Sequence, residues 1–201
     1  VFGSLYRLSA FNGDPHPGNY LFEPGGKVTF LDYGLVKRFT PEELQPFEDM
    51  IKAMVIDHDI GEFRRIVEEV GLLAPNPSFT DEAIGEYFGH FYEFVRDDAE
   101  LTMTEEYASE TVRRFFDTSG EHGEIMRAAN VPKSMVIIQR INLGLYAILG
   151  QLEATANWRR LAEELWPWTD GAPSTPMGEA EAAWRGARKA RTAASASADD
   201  N

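Results

Sequence analysis

Apolar residues recur at helical spacing through the middle of the chain, and capping residues separate the runs. Thr40-Pro41-Glu42-Glu43 supplies an N-cap, a proline at the first helical position and an acid at the third. Leu44, Phe47, Ile51, Met54 and Val55 follow at three- and four-residue intervals, which predicts a helix. Asp59 opens a second helix carrying Phe63, Ile66, Val67 and Val70, and Gly71 stops it. Thr80 opens a third with Ile84, Tyr87, Phe88, Phe91 and Val95. Thr104 opens a fourth that ends before Gly120. Pro132 starts a fifth, apolar on nearly all sides, running to about Leu152. Trp158 to Trp166 is a short sixth, stopped by Pro167. The pattern differs at the two ends. Val1 to Arg38 reads as strand-like and rich in glycine and proline. Thr169 to Asn201 reads as a linker, a weak Ala/Arg/Glu helix over Glu179 to Arg191, and an unordered low-complexity end.

Within the first zone, Tyr20–Phe22 and Val28–Leu31 flank Glu-Pro-Gly-Gly-Lys. Gly25-Gly26 suits a two-residue hairpin turn, in which both central residues take positive φ. That register pairs residue i with residue 51 − i, so Asn19 faces Asp32 at the open end of the hairpin. Directly paired side chains stand roughly 5 Å apart at Cβ, close enough to share one cation.

Composition narrows the function classes. Asp and Glu number 33 against 19 Lys and Arg, a formal charge of −14. This argues against broad binding to nucleic acid or anionic lipid, both of which need a basic face. A small phosphate site is still allowed. Cysteine is absent, so disulfides, thiolate metal sites and thiol nucleophiles are excluded. No apolar run reaches the ~18 residues of a simple membrane span. The opening VFGSLYRLSAF carries neither a signal-peptide pattern nor a helix-start signal, and it reads as the interior of a longer sequence.

The chemistry is concentrated in Asn12-Gly-Asp-Pro-His-Pro-Gly-Asn-Tyr-Leu-Phe22 and Val28-Thr-Phe-Leu-Asp-Tyr-Gly-Leu35. Pro15 and Pro17 stiffen the path from Asp14 to Asn19 by fixing φ, and Gly18 permits a sharp bend. An amide and a carboxylate, Asn19 and Asp32, are the oxygen donors Mg²⁺ takes when substrate phosphates complete its shell. An Asp followed five residues later by a metal-binding Asn, then an Asp-aromatic-Gly, is the arrangement used for phosphoryl transfer by protein kinases. The bland alternative is that Asp14, Asn19 and Asp32 only cap turns.

These two motifs resemble the C-terminal lobe of the AarF/UbiB atypical kinases, protein-kinase-like proteins of bacteria, mitochondria and plastids associated with isoprenoid quinone biosynthesis and lipid homeostasis. The likeness extends over about Phe11 to Trp166 and is strongest in the first zone. It implies an α+β, mostly α fold: a protein-kinase-like C-lobe with a short β-hairpin at its catalytic edge, followed by a helical bundle and an unordered tail. The expected division is residues 1–168 as the lobe and 169–201 as linker and tail. By resemblance, Asp14 is the catalytic acid or base, and Asn19 and Asp32 hold Mg²⁺ and through it ATP. His16 falls where ordinary kinases place a phosphate-contacting Lys; a packing or capping histidine is the equal alternative. Asn12 replaces the usual His two residues before the catalytic Asp and is able to bond the loop backbone. No Gly-rich phosphate loop and no strand Lys with a helix Glu partner is found, so the chain is expected to lack the N-lobe and to form half an ATP pocket.

The expected activity is Mg-dependent ATP binding with phosphoryl transfer or hydrolysis. A nucleotide is the expected partner, with a lipid or isoprenoid quinone precursor as a further one. The expected location is cytoplasmic or peripheral at a membrane. The rivals are a small-molecule kinase of the aminoglycoside or choline type and a non-catalytic half-kinase scaffold. A metal-dependent hydrolase built on Asp14, His16 and Asp32 lacks a third fixed ligand. His58, His90 and His122 fall at no metal spacing and read as packing or surface residues. The aromatic run Tyr87 to Phe94 reads as core rather than a lipid groove. Arg140 and Asn142 argue against a membrane span for the Pro132 helix.

Overall fold

The structure is a computed structural model and describes residues 2–76 and 78–199. Nine α-helices and six short strands are found among these residues. The helices begin where the capping residues stand. Thr40 accepts from the Glu43 amide and Glu43 answers to the Thr40 amide, closing a capping box on α2 (Pro41–Ile51). Asp59 caps α3 (Ile60–Glu69), Thr80 caps α4 (Asp81–Gly89) and Thr104 caps α5 (Glu105–Phe116). A π-helical turn, Lys52–Ile56, links α2 to α3, and α4 tightens into a 3-10 segment over His90–Val95. A short α6 (Gly123–Ala128) precedes α7 (Lys133–Gln151), which opens at Pro132. Asn157 caps α8 (Trp158–Leu165).

The main core lies among these helices. Phe63, Val67, Leu73 and Ile84 are fully buried, and Tyr87, Phe88 and Phe115 pack with them. The aromatic run is therefore core. A second cluster of Leu5, Phe11, Phe39, Leu44, Ile138 and Ile141 joins the first zone to α2 and α7.

Three local expectations are corrected. Residues Phe2–Leu8 form a helix, α1, rather than a strand-like entry; Leu5 is buried and Phe2 packs edge-on to Phe11. Tertiary packing supplies what the missing cap signal does not. The tail helix is longer than the expected Glu179 to Arg191: α9 runs Pro176–Asp199. Its alanine, arginine and glutamate content favours helix. The Glu164 carboxylate anchors its start by accepting from the Ser174 and Thr175 amides at 2.6 and 3.0 Å, and an Arg7–Glu181 ion pair holds its first turns. Asp200 and Asn201, which the expected unordered end includes, lie outside the described residues, as does Val1.

The third correction concerns register. Strands β2 (Tyr20–Glu23) and β3 (Lys27–Phe30) pair antiparallel with Tyr20 opposite Phe30 and Glu23 opposite Lys27. The sum is 50, not 51, because Pro24-Gly25-Gly26 closes a three-residue loop. Gly25 and Gly26 both hold positive φ, and the Gly26 amide donates to Glu23 O at 3.2 Å. Asn19 therefore faces Leu31, whose amide donates to Asn19 O at 2.9 Å, and Asp32 lies one residue past the pairing. Strand β1 (Ala10–Asn12) pairs antiparallel with β4 (Val36–Arg38), and β5 (Glu100–Met103) with β6 (Ala154–Asn157).

His90 is a buried packing histidine. Burial pushes its imidazolium form to a lower pKa than the ordinary value, and the nearby Arg114 adds to this. The Tyr87 and Thr111 carbonyls, at 2.5 and 3.2 Å from the ring nitrogens, and Glu93 pull the other way without winning. The unfolded chain then takes the proton first. Stability is full above the usual histidine value of about 6.5 and is lost as pH falls through it toward the lower folded value. Urea midpoints for the wild-type chain are expected to decline between about pH 7.5 and 5.5, with a flatter slope in His90→Phe. Equal slopes in the two chains would assign the decline to other groups.

Candidate active site

The first-zone loop is fixed at both ends before its chemistry begins. Phe11 is buried in the second core cluster, which holds β1 down. The Gly13 amide donates to Leu35 O at 2.7 Å, tying the loop entrance to the segment after Asp32. Pro15 is buried; Pro17–Asn19 forms one 3-10 turn; Tyr20 is buried at the start of β2.

Helix α7 forms the floor. A Cβ on Gly144 would lie 2.5 Å from Pro15 Cγ and 3.1 Å from Pro15 O, so the helix and the loop touch where only glycine fits. Two turns away, Ile137 Cδ1 lies 3.1 Å from where a Cβ on Gly13 would stand.

Asp14 and Asn19 are brought together. Asn19 Nδ2 donates to Asp14 Oδ2 at 3.1 Å and to Asp14 O at 3.2 Å. That amide orientation leaves Asn19 Oδ1 as the oxygen with lone pairs to offer. The other carboxylate oxygen of Asp14 accepts from Arg140 Nη2 at 2.9 Å, across 126 residues of sequence. Both side chains of the pair are substantially exposed. An exposed pair contributes only about 0–1 kcal/mol to stability, so its consequence is orientation rather than stability.

Asp32 joins the group through its backbone. Asn12 Nδ2 donates to Asp32 O at 2.8 Å, while Asn12 Oδ1 accepts from the Asp14 amide at 3.1 Å. One asparagine thus bridges both motifs and bonds the loop backbone, the role open to it from its position. The Asp32 carboxylate itself turns back on its own loop, where Oδ1 accepts from the Gly34 amide at 2.6 Å. Among the described residues no side-chain hydrogen bond joins Asp32 to Asn19 or Asp14, and no three His, Cys, Asp or Glu side chains are grouped to hold a metal. His16 caps the 3-10 turn: its Nδ1 accepts from the Gly18 amide at 3.1 Å. The capping alternative is the contact observed for it, and Nε2 is then the ring N–H.

Two features of the site escape a sequence reading. Arg140 sits on an apolar helix far along the chain and carries no motif. Tyr20 buries a hydroxyl with no hydrogen-bond partner among the described residues; burial, and next the Asp14 charge, push its pKa up. Around the site the hairpin exposes Leu21, Phe22, Leu31 and Tyr33, each at least half exposed.

A short loop, an Asp–Asn pair and a tethered Asp-aromatic-Gly thus lie together at one edge of the structure. Residues 1–67, a third of the chain, match the model of the ABC1 atypical kinase-like domain, the family its motifs resemble. Relatives in Arabidopsis thaliana include the chloroplastic protein ACTIVITY OF BC1 COMPLEX KINASE 3, 58% identical over 39 residues, which are 19% of this chain and 5% of that protein. A chloroplastic aarF domain-containing protein kinase is 31% identical over 74 residues, 37% of this chain and 10% of that one. Among solved structures, the Mycobacterium tuberculosis protein Rv3197, determined in complex with erythromycin, superposes with a TM-score of 0.62 at 24% identity. The likeness covers 86% of this chain and 42% of that one, and it shows the fold. The chain thus spans less than half of the solved structure and a small part of the curated relatives it matches. No helix among the described residues is long and apolar enough to cross a membrane.

Asn12→Ala removes both bonds that tie the loop to Asp32. The expected cost is about 1 kcal/mol in urea unfolding, with faster amide exchange at Asp14 and Gly34 and unchanged protection in α3. Unaltered exchange at both amides would show that the two motifs are held together by other means.

Proposed function

We propose that this chain is the C-lobe of an atypical kinase and that its loop edge is one wall of a Mg·ATP site. The observation that carries the reading is the Asp14–Asn19 side-chain pair at 3.1 Å, fastened through Asn12 to the Asp-Tyr-Gly segment. Asn19 Oδ1 and the exposed Asp32 carboxylate are hard oxygen donors on one exposed edge. Mg²⁺ takes one or two such protein ligands and fills the remaining positions with water and phosphate. The donor set fits that habit and is too small for an all-protein metal cage. When bound, Mg²⁺ neutralises charge on the phosphates during transfer.

The chain's own groups have distinct tasks in this reading. Asp14 orients, and accepts the proton of, the attacking hydroxyl or water. His16, with Nδ1 engaged by Gly18, offers its Nε2–H to a phosphate oxygen. Asn12 holds the two motifs at fixed separation. Catalysis here is mostly positioning, which is why few residues suffice. In this reading the acceptor is a lipid or isoprenoid quinone precursor.

Titration calorimetry with Mg·ATP on the 201-residue chain tests the reading. Measurable binding is expected in the wild type and its loss in Asp32→Asn, which keeps the shape and removes the charge. Wild-type heat that persists undiminished in Asp32→Asn would overturn the site assignment. No heat in the wild type would favour the scaffold reading.

A further inference from the structure

Three residues of α7, Ile137, Arg140 and Gly144, fall at i, i+3 and i+7, and so share one helix face. They meet three consecutive loop residues in turn: Ile137 meets Gly13, Arg140 meets Asp14 and Gly144 meets Pro15. The outer two contacts are close packing. The middle one is a charged hydrogen bond, and it falls on the residue read above as the catalytic acid or base.

We propose that Arg140 is a positioning residue for Asp14. A carboxylate on a single side-chain bond rotates freely unless both oxygens are held. Here Arg140 Nη2 holds Oδ1 at 2.9 Å and Asn19 Nδ2 holds Oδ2 at 3.1 Å, so its rotation is set from two sides. Locking Gly13 and Pro15 against the same helix face keeps the Asp14 backbone at constant distance from the guanidinium. Gly144 permits that approach, since any larger residue would push Pro15 away. Arg140 touches no reacting atom in this role. It acts through Asp14, and the inference rests on the reading of Asp14 as the acid or base.

The test is side-chain NMR of the full chain together with ATP turnover. In Arg140→Gln the Asn19 Nδ2 amide signals and the Asp14 carboxyl carbon signal are expected to move. The core methyl signals of Ile66 and Val67 and the thermal midpoint should hold. Arg140→Lys, which returns the charge without the planar fork, should recover part of the shift. Where the chain turns over ATP, kcat is expected to fall roughly ten- to a hundredfold with KM for Mg·ATP unchanged. Unmoved Asn19 and Asp14 signals in Arg140→Gln would overturn the proposal. So would a drop in the thermal midpoint accompanied by shifts throughout the molecule, which would make the pair a fold-stabilising contact. Shifted signals in a chain that turns over no ATP would uphold the positioning role and show that one wall of the pocket does not suffice for turnover.

Discussion

The grip of helix α7 on residues 13–15 is the constraint on which the rest of the site depends. A loop with two prolines and two glycines has a stiff path but no inherent position. It acquires one because Gly144 lets Pro15 seat directly on the helix backbone and because Phe11 is sunk in the core just before it. Asp14, Asn19 and the Asn12 bridge to Asp32 then follow from short-range hydrogen bonds. A helix that forms late in the chain thus sets the geometry of a motif that lies near its start.

Chemistry and placement were readable from the chain to different degrees. The helix starts at Thr40, Asp59, Thr80 and Thr104 are local events, in which a side-chain oxygen meets an amide two or three residues on, and the sequence alone shows them. The β5–β6 ladder joins segments more than fifty residues apart through four-residue strands of ordinary composition, and nothing local marks it. The hairpin register was off by one because Pro24 extends the turn to three residues, a choice between loop types that two adjacent glycines do not decide. Helix α1 has no cap and exists because Leu5 and Phe2 find Phe11.

The site shows the same division. The residue types at 14, 19 and 32 and their spacing point to phosphoryl-transfer chemistry before any coordinates are known. The structure adds which of them meet. Asp14 and Asn19 do. Asp32 is tethered by its carbonyl while its carboxylate faces its own glycine. Arg140 reads in the sequence only as a charge unsuited to a membrane span, since its contact spans 126 residues.

The central claim is that Asn19 and Asp32 share a nucleotide-bound divalent ion beside Asp14. Replacing Mg²⁺ by paramagnetic Mn²⁺ in the presence of ATP, and recording side-chain NMR signals, addresses it directly. Broadening confined to the Asn19 amide and the Asp32 and Asp14 carboxyl carbons, absent when Mn²⁺ is added without nucleotide at the same low concentration, is the predicted result. Broadening scattered over the acidic helices, with the signals of residues 14, 19 and 32 left sharp, would contradict it.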